Sequence, residues 1–215
     1  MDDLRTDFTE VRRTPERGRY DRETVHAILD EGIVAHVGLV SDGRPVVVPM
    51  VYGRDGDMLY LHGSPASRLL RAGKGGQELC VTVTLLDGLV LARSPLHHSA
   101  NFRSVMVIGT ARPVDDLDEK SRILDLITDH VVPGRMAAVR PNTEKELRAT
   151  LVIAMPIEEA SAKIRTGPPV DDDEDYALDH WAGVIPLGVA VGEPVPDPRL
   201  SDGIAVPDHV RDWRR

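Results

Sequence analysis

The sequence predicts a mainly β protein with peripheral helices, an α+β fold in which six short strands close, or nearly close, a barrel. Three observations predict it. Short valine-rich runs recur between turn signals instead of following one long helical period. The apolar class, 41% of 215 residues, is aliphatic and β-branched, with aromatic residues at only 4%. Finally, 18 glycines and 16 prolines cluster between those runs, where turns require them.

Residues 1–19 mix acidic residues with arginines and have no periodicity, so an extended N-terminal arm is expected. Asp21 is an N-cap, Val25, Ile28 and Leu29 form one helical face, and Gly32 ends the helix. The period then changes. IVAHVGLV (33–40), Asp42-Gly43 and RPVVVPMVY (44–52) read as a hairpin, and MLYLH (58–62) adds a third strand. ELCVTVTLL (78–86) and Leu89–Ala92 flank Asp87-Gly88, which reads as a second hairpin. VMVIGTARPV (105–114) supplies the sixth strand. Asp116 and Glu119 resemble a capping box opening a helix whose face carries Leu117, Ile123, Leu124, Ile127 and Val131. A short helix at 142–149 and returning strands at 150–157 and 161–165 follow, then an acidic run, Asp171–Asp175, read as a solvated loop. The main domain is expected over 20–190, with a proline-rich C-terminal arm over 191–215.

Composition excludes several classes of function. A net charge of −9 opposes a broad nucleic-acid surface and leaves room only for a local basic pocket. One cysteine, Cys80, precludes an intramolecular disulfide and suits a reducing compartment. No segment approaches the ~20 apolar residues of a membrane span, and no h-region opens the chain, so a cytoplasmic protein with no membrane partner is expected. Dinucleotide, P-loop, zinc-protease and nucleophile-elbow motifs are missing, and the eight histidines have no ligand spacing, so no metal site is expected. Gly73-Lys74-Gly75-Gly76 reads as a helix C-cap and turn.

Four segments could carry chemistry. In HGSPASRLLRAG (62–73), Ser64 and Pro65 read as N-cap and N1 of a helix on which Ser64, Ser67, Arg68 and Arg71 share a side. Such an end, with hydroxyls and guanidinium, suits a phosphate dianion; an ordinary capped surface helix is the alternative. Pro49, inside VVVPMVY, removes a ladder donor and marks an edge or opening where peptide groups can meet a planar heterocycle. Asn101, Arg103 and Ser104 lead into the strand at Val105 as pocket or turn residues. Lys163 points away from Ile164, and Trp181 either covers a ring or fills core.

In this order, the segments ERGRYD, VVVPMVY, LYLHGSPASRLL, VTVTLLDGLVLARSPLHHSANFRSVMVIG, DHVVPGR, SAKIR and WAGVIPL resemble the FMN-binding split-barrel superfamily that includes pyridoxamine 5′-phosphate oxidase. The similarity spans roughly residues 11–190 and is closest to bacterial flavin-nucleotide-binding and nitroimidazole-reductase-like members. It implies a Greek-key-like split barrel and a homodimer with FMN at the subunit interface. Val46, Val47, Val48, Pro49 and Met50 would meet the isoalloxazine edge, and His62, Gly63, Ser64, Ser67 and Arg68 would surround the phosphate. Asn101, Arg103 and Ser104 complete the set, with Ser104 standing where the family has an amide, and Lys163 and Trp181 come across the interface.

The tail lacks the oxidase's arginine–histidine substrate signature. His62 matches a histidine near the flavin of nitroimidazole-reductase-like proteins and would be catalytic, positioning substrate or donating a proton, or else a phosphate hydrogen-bond donor. The implied function is an FMN-dependent oxidoreductase acting on a small molecule, with NAD(P)H as a possible donor. The alternatives are a non-enzymatic flavin carrier or sensor, or the same barrel holding deazaflavin or haem.

Overall fold

In chain order the strands and helices are β1 (Gly18–Arg19), α1 (Arg22–Glu31), β2 (Val34–Ser41), β3 (Arg44–Asp55), β4 (Met58–Gly63), α2 (Arg68–Lys74), β5 (Glu78–Leu91), β6 (Ser99–Thr110), β7 (Arg112–Pro113), α3 (Leu117–Val131), α4 (Glu144–Ala149), β8 (Leu151–Pro156), β9 (Glu159–Arg165), β10 (Gly183–Pro186) and α5 (Asp208–Arg211). They come from a computed structural model that describes residues 4–214; the first three residues of the expected N-terminal arm and the last of the C-terminal arm lie outside the described residues. The mostly antiparallel strands with peripheral helices are the expected α+β class. The chain forms two units, each assembled from separated stretches of sequence.

The first unit takes residues up to Gly32, Cys80–Ile108 and Glu158–Gly188. Its strands run in the order β1-β9-β6-β5, and β10 pairs with the end of β5. Antiparallel register places Phe102 opposite Arg165 and Ile108 opposite Glu159. Asp21 caps α1 by accepting from the Thr24 N–H at 2.8 Å. Gly32 ends α1 as expected, but in extended backbone. The N-terminal arm is anchored: Leu4, 1% exposed, donates its N–H to Tyr20 O and accepts from Ala160 N–H. These partners are remote in sequence, so local periodicity carries no trace of them.

Two strand expectations fail in this unit. Asp87-Gly88 is not a hairpin turn; β5 runs straight through it, and β10 supplies the antiparallel partner from Gly88↔Pro186 to Leu91↔Gly183. A Cβ at Gly88 would stand 3.0 Å from Ile185 O, so glycine serves close strand approach here. The strand predicted from Val105 begins at Ser99, which puts Asn101, Arg103 and Ser104 within β6 and not at its mouth.

The second unit takes Ile33–Leu79, Gly109–Ile157 and the chain from Val189 onward. Its strand order is β2-β3-β4-β8-β7, every pair antiparallel. Asp42 and Gly43 both have positive φ, the requirement of the two-residue turn joining β2 to β3. Helix α3 lays Ile123 and Ile127 on Tyr60, Val152 and Ala154. The helix comes so close to β3 that a Cβ on Gly53 would lie 2.5 Å from Leu126 Cδ2. Asp116 caps α3, although Glu119 turns to Arg112 instead of closing a box; Thr143 and Glu146 do form the reciprocal box on α4. In the C-terminal arm, the Trp213 indole N–H donates to Val131 O at 2.9 Å.

Candidate functional site

In the second unit, β3 and β4 pair from Asp55↔Met58 to Tyr52↔Leu61 and then part. Upstream of Tyr52, β3 keeps β2 on one side, with His36 opposite Pro49 and Val37 opposite Val48, and has no other strand partner among the described residues. On the far lip, His62 and Gly63 pair only with Val152 and Leu151 of β8. The ladder therefore opens between β3 and β4, with Val46–Met50 on one margin and His62–Gly63 on the other. Pro49, lacking an N–H, lies where β3 has a strand partner on one side only, a position that suits proline. Apolar side chains remain outside: Val47 is 62% exposed and Val48 37%.

His62 is half-buried, and burial pushes its pKa below the ordinary histidine value, favouring the neutral ring. Its Nδ1 is buried without a hydrogen-bond partner among the described residues. A neutral imidazole has one N–H donor and one lone-pair nitrogen, and the latter can ligate a metal or accept a hydrogen bond.

The segment after His62 differs from expectation in one respect. Ser64 and Pro65 do not begin the helix; they form a turn in which Ser67 N–H donates to Ser64 O at 2.9 Å and Ala66 N–H donates to Ser64 Oγ at 3.2 Å. The N-cap is Ser67, whose hydroxyl accepts from Leu70 N–H, and α2 starts at Arg68. Burial decides this: with the cap at Ser67, Leu69 and Leu70 turn into the core, whereas Ala66 stays exposed. Arg68 and Arg71 are exposed on the outer side of α2, as the helical spacing requires, and Ser64 is exposed in the turn before it. The Arg68 guanidinium has no partner among the described residues. Gly75 caps the C-terminus, followed by Gly76 at φ +82°.

In the first unit, Arg103 is heavily committed. It forms a bidentate pair with Asp87 (3.0 and 2.7 Å) and bonds both Glu31 oxygens, one of them at 2.8 Å. Four of its five N–H groups are thereby used. Asp87 first, then Glu31, raise its pKa further above the usual arginine value. Asn101 is also engaged, donating to Gly167 O at 3.1 Å and accepting from Arg165. The Ser104 hydroxyl donates to Lys163 O at 3.3 Å, and the Lys163 ammonium donates to Arg13 O at 3.2 Å. Ser104 and Lys163 line a cleft of about 270 Å³ walled by Val11 and Arg13 of the N-terminal arm. Trp181 does not fill core: the residue is 70% exposed, with its ring beside Gly183.

Sequence reasoning passed over two ionic centres. Asp171, assigned to a solvated loop, has a fully buried side chain that accepts from the Arg93 N–H at 2.9 Å, the Arg93 guanidinium at 3.1 Å and the Ser94 N–H. Arg165, 6% exposed, meets only neutral acceptors: Asn101, Gly167 O and Pro168 O. Burial, reinforced by Arg17, lowers its pKa. The uniform run of aspartates concealed the first. The second had no local signal at all.

Among the described residues no group of histidine, cysteine and carboxylate side chains could hold a metal ion, and no helix is long and apolar enough to cross a membrane. The family model described as pyridoxamine 5′-phosphate oxidase matches residues 21–164. Three solved structures are similar. The flavocytochrome Anf3 from Azotobacter vinelandii is 46% identical over 97% of both chains, with a TM-score of 0.92. The FAD and haem binding protein from Mycobacterium smegmatis is 42% identical over 91% of this chain and 96% of its own, with a TM-score of 0.87. A candidate 5-nitroimidazole antibiotic resistance protein from Bacteroides thetaiotaomicron is 25% identical over 68% of this chain and 86% of its own, with a TM-score of 0.57. No curated protein matches. The family match over two-thirds of the chain, on a mostly antiparallel α+β fold, makes this protein a member of the pyridoxamine 5′-phosphate oxidase-like split-barrel family.

Proposed function

We propose that this protein is a flavocytochrome-like oxidoreductase that binds a flavin in the β3/β4 opening and a haem as second cofactor. The observation that carries it is near-full-length similarity, above 40% identity, to two proteins named respectively as a flavocytochrome and as an FAD and haem binding protein. The second name also favours FAD over the FMN expected from the sequence. Flavin handles electrons in pairs as hydride and haem handles them singly, so the two together couple a two-electron donor such as NAD(P)H to one-electron acceptors.

The residues present fit both groups. The unpaired margin of β3 offers peptide groups to the polar edge of a flavin ring, and exposed Val47 and Val48 offer apolar contact. Ser64, Ser67 and Arg68 offer hydroxyls and an unpaired guanidinium to phosphate. Haem iron is commonly held by a neutral imidazole; burial favours the neutral ring of His62, whose buried Nδ1 has no other partner among the described residues. In this reading His62 holds iron and is not a general acid. Homodimerisation and a cytoplasmic location belong to the same proposal.

Purified protein should show flavin absorption together with a Soret band, and mild denaturation should release FAD by mass. Protein that is folded yet stays colourless after incubation with excess FAD and haemin would refute the reading. A flavin band without haem uptake would remove its haem half and favour a flavin-only oxidoreductase.

A further inference from the structure

We propose that the cleft bordered by α2, α3 and α4 in the second unit is an anion site that takes the phosphoryl groups of a small molecule. The chain carries a net charge of −9. Yet a cavity of about 420 Å³ collects Arg71 and Lys74 from α2, Lys120 from α3 and Arg148 from α4, with Asp115 the one carboxylate on its wall. A volume of that size admits a diphosphate with an attached organic group.

The four cations are not equally available. Arg148 is held by Glu144 through two bonds of 2.9 and 2.6 Å. The side chains of Arg71 and Lys74 have no hydrogen-bond or ionic partner among the described residues. Lys120 is 8% exposed, and its ammonium donates to Leu147 O at 3.3 Å and Thr150 O at 3.2 Å, leaving one N–H unused. It is a buried positive charge bonded only to neutral carbonyls, an arrangement that favours an anion nearby. Placement in the last turn of α2 would explain Arg71 and Lys74 as partners of the helix dipole. It does not explain why two other helices bring cations to the same hollow. Guanidinium and ammonium groups converging on a concave wall match phosphate oxygens in charge and hydrogen bonding.

One helix connects this cleft with the proposed flavin site. Ser67 and Arg68 open α2, and Arg71 and Lys74 follow one and two turns later. The phosphoryl groups could therefore be those of bound FAD or of a separate phosphorylated ligand. Titration calorimetry at low salt with inorganic pyrophosphate and with ADP, on flavin-loaded and flavin-stripped protein, separates these sources. A separate ligand site binds the probes in both forms. An FAD site binds them only after stripping, and the Arg71→Ala/Lys74→Ala variant then weakens FAD while leaving FMN unaffected.

In either case that double variant should bind pyrophosphate at least about tenfold more weakly, and Asp115→Asn, which removes the opposing charge, should bind it several-fold more tightly. All three side chains are exposed, and unchanged melting temperatures would establish intact folding. Absence of pyrophosphate and ADP binding to both protein forms, or affinity unaffected by either variant, would overturn the proposal.

Discussion

Tyr52 of β3 and Leu61 of β4 form the last rung of their ladder, and beyond it the two strands diverge with His62 on one lip and Met50 on the other. Every residue proposed to touch the flavin in the second unit lies on the open side of that rung. The β4 lip continues directly into the Ser64–Ser67 turn, so the candidate ring site and phosphate site are adjacent in the chain.

The adjacency predicts a selective effect. Ser64→Ala combined with Arg68→Ala removes a hydroxyl and an unpaired guanidinium, worth about 1.5–3 kcal/mol for each charge-assisted bond to phosphate. Phosphorylated flavins should then bind about 10²–10⁴-fold more weakly, with riboflavin hardly affected. Fluorescence titration with both flavins checks this; equal losses would place the phosphate elsewhere.

His62→Ala should abolish the Soret band while the flavin bands persist, read in the absorption spectrum of reconstituted protein. The pH dependence has a defined sign. Because burial lowers the folded-state pKa of His62, its contribution to stability is complete above the ordinary value of 6.5 and is lost as pH falls through the lower folded value. Cofactor-free His62→Gln protein should therefore lose less of its melting temperature than wild type between neutral and mildly acidic pH.

Asp171→Asn should lower thermal stability at neutral pH, since it breaks a buried carboxylate–guanidinium pair. Burial alone would raise the Asp171 pKa, but hydrogen bonds from the Arg93 N–H, the Arg93 guanidinium and the Ser94 N–H outweigh it and hold the value below 3.8. The contribution is thus full above that ordinary value and fades as pH falls through the lower folded one. Melting curves of wild type and variant should differ at pH 5 to 8 and converge in strong acid.

Gly53→Ala tests the packing of α3 on β3. The added methyl would lie 2.5 Å from Leu126 Cδ2 and 2.9 Å from Ile127 Cγ1. Overpacking of that kind costs about 1–3 kcal/mol, visible as a lower denaturant midpoint at unchanged slope. An unaltered midpoint would mean that α3 shifts freely.

Two identical dipeptides show where reading the chain succeeds and where it fails. Asp42-Gly43 and Asp87-Gly88 carry the same local turn signal. The first has positive φ at both residues and turns; the second continues a strand because β10, nearly a hundred residues later, offers an antiparallel partner. The two serines before α2 are a parallel case. Either Ser64 or Ser67 has the chemistry of a cap, and burial of Leu69 and Leu70 selects Ser67. Arg103 resembled a ligand-binding arginine until Glu31 and Asp87, distant in sequence, closed around it.

Sequence by itself determined the α+β class, the hairpin at Asp42-Gly43, the caps at Asp21 and Asp116, the exposed polar side of α2 and the placement of Pro49 where β3 has a strand partner on one side only. Each depends on the stereochemistry of a few neighbouring residues, or on a hydrophobic period, and both are complete within a short window. Tertiary structure alone decided that β3 and β4 separate at Tyr52 and Leu61, that Asp171 is buried against Arg93, and that Arg71, Lys74 and Lys120 share one hollow. Those outcomes depend on which distant segments compete for the same hydrogen-bonding edge or the same buried volume, and that competition is settled only when the chain folds.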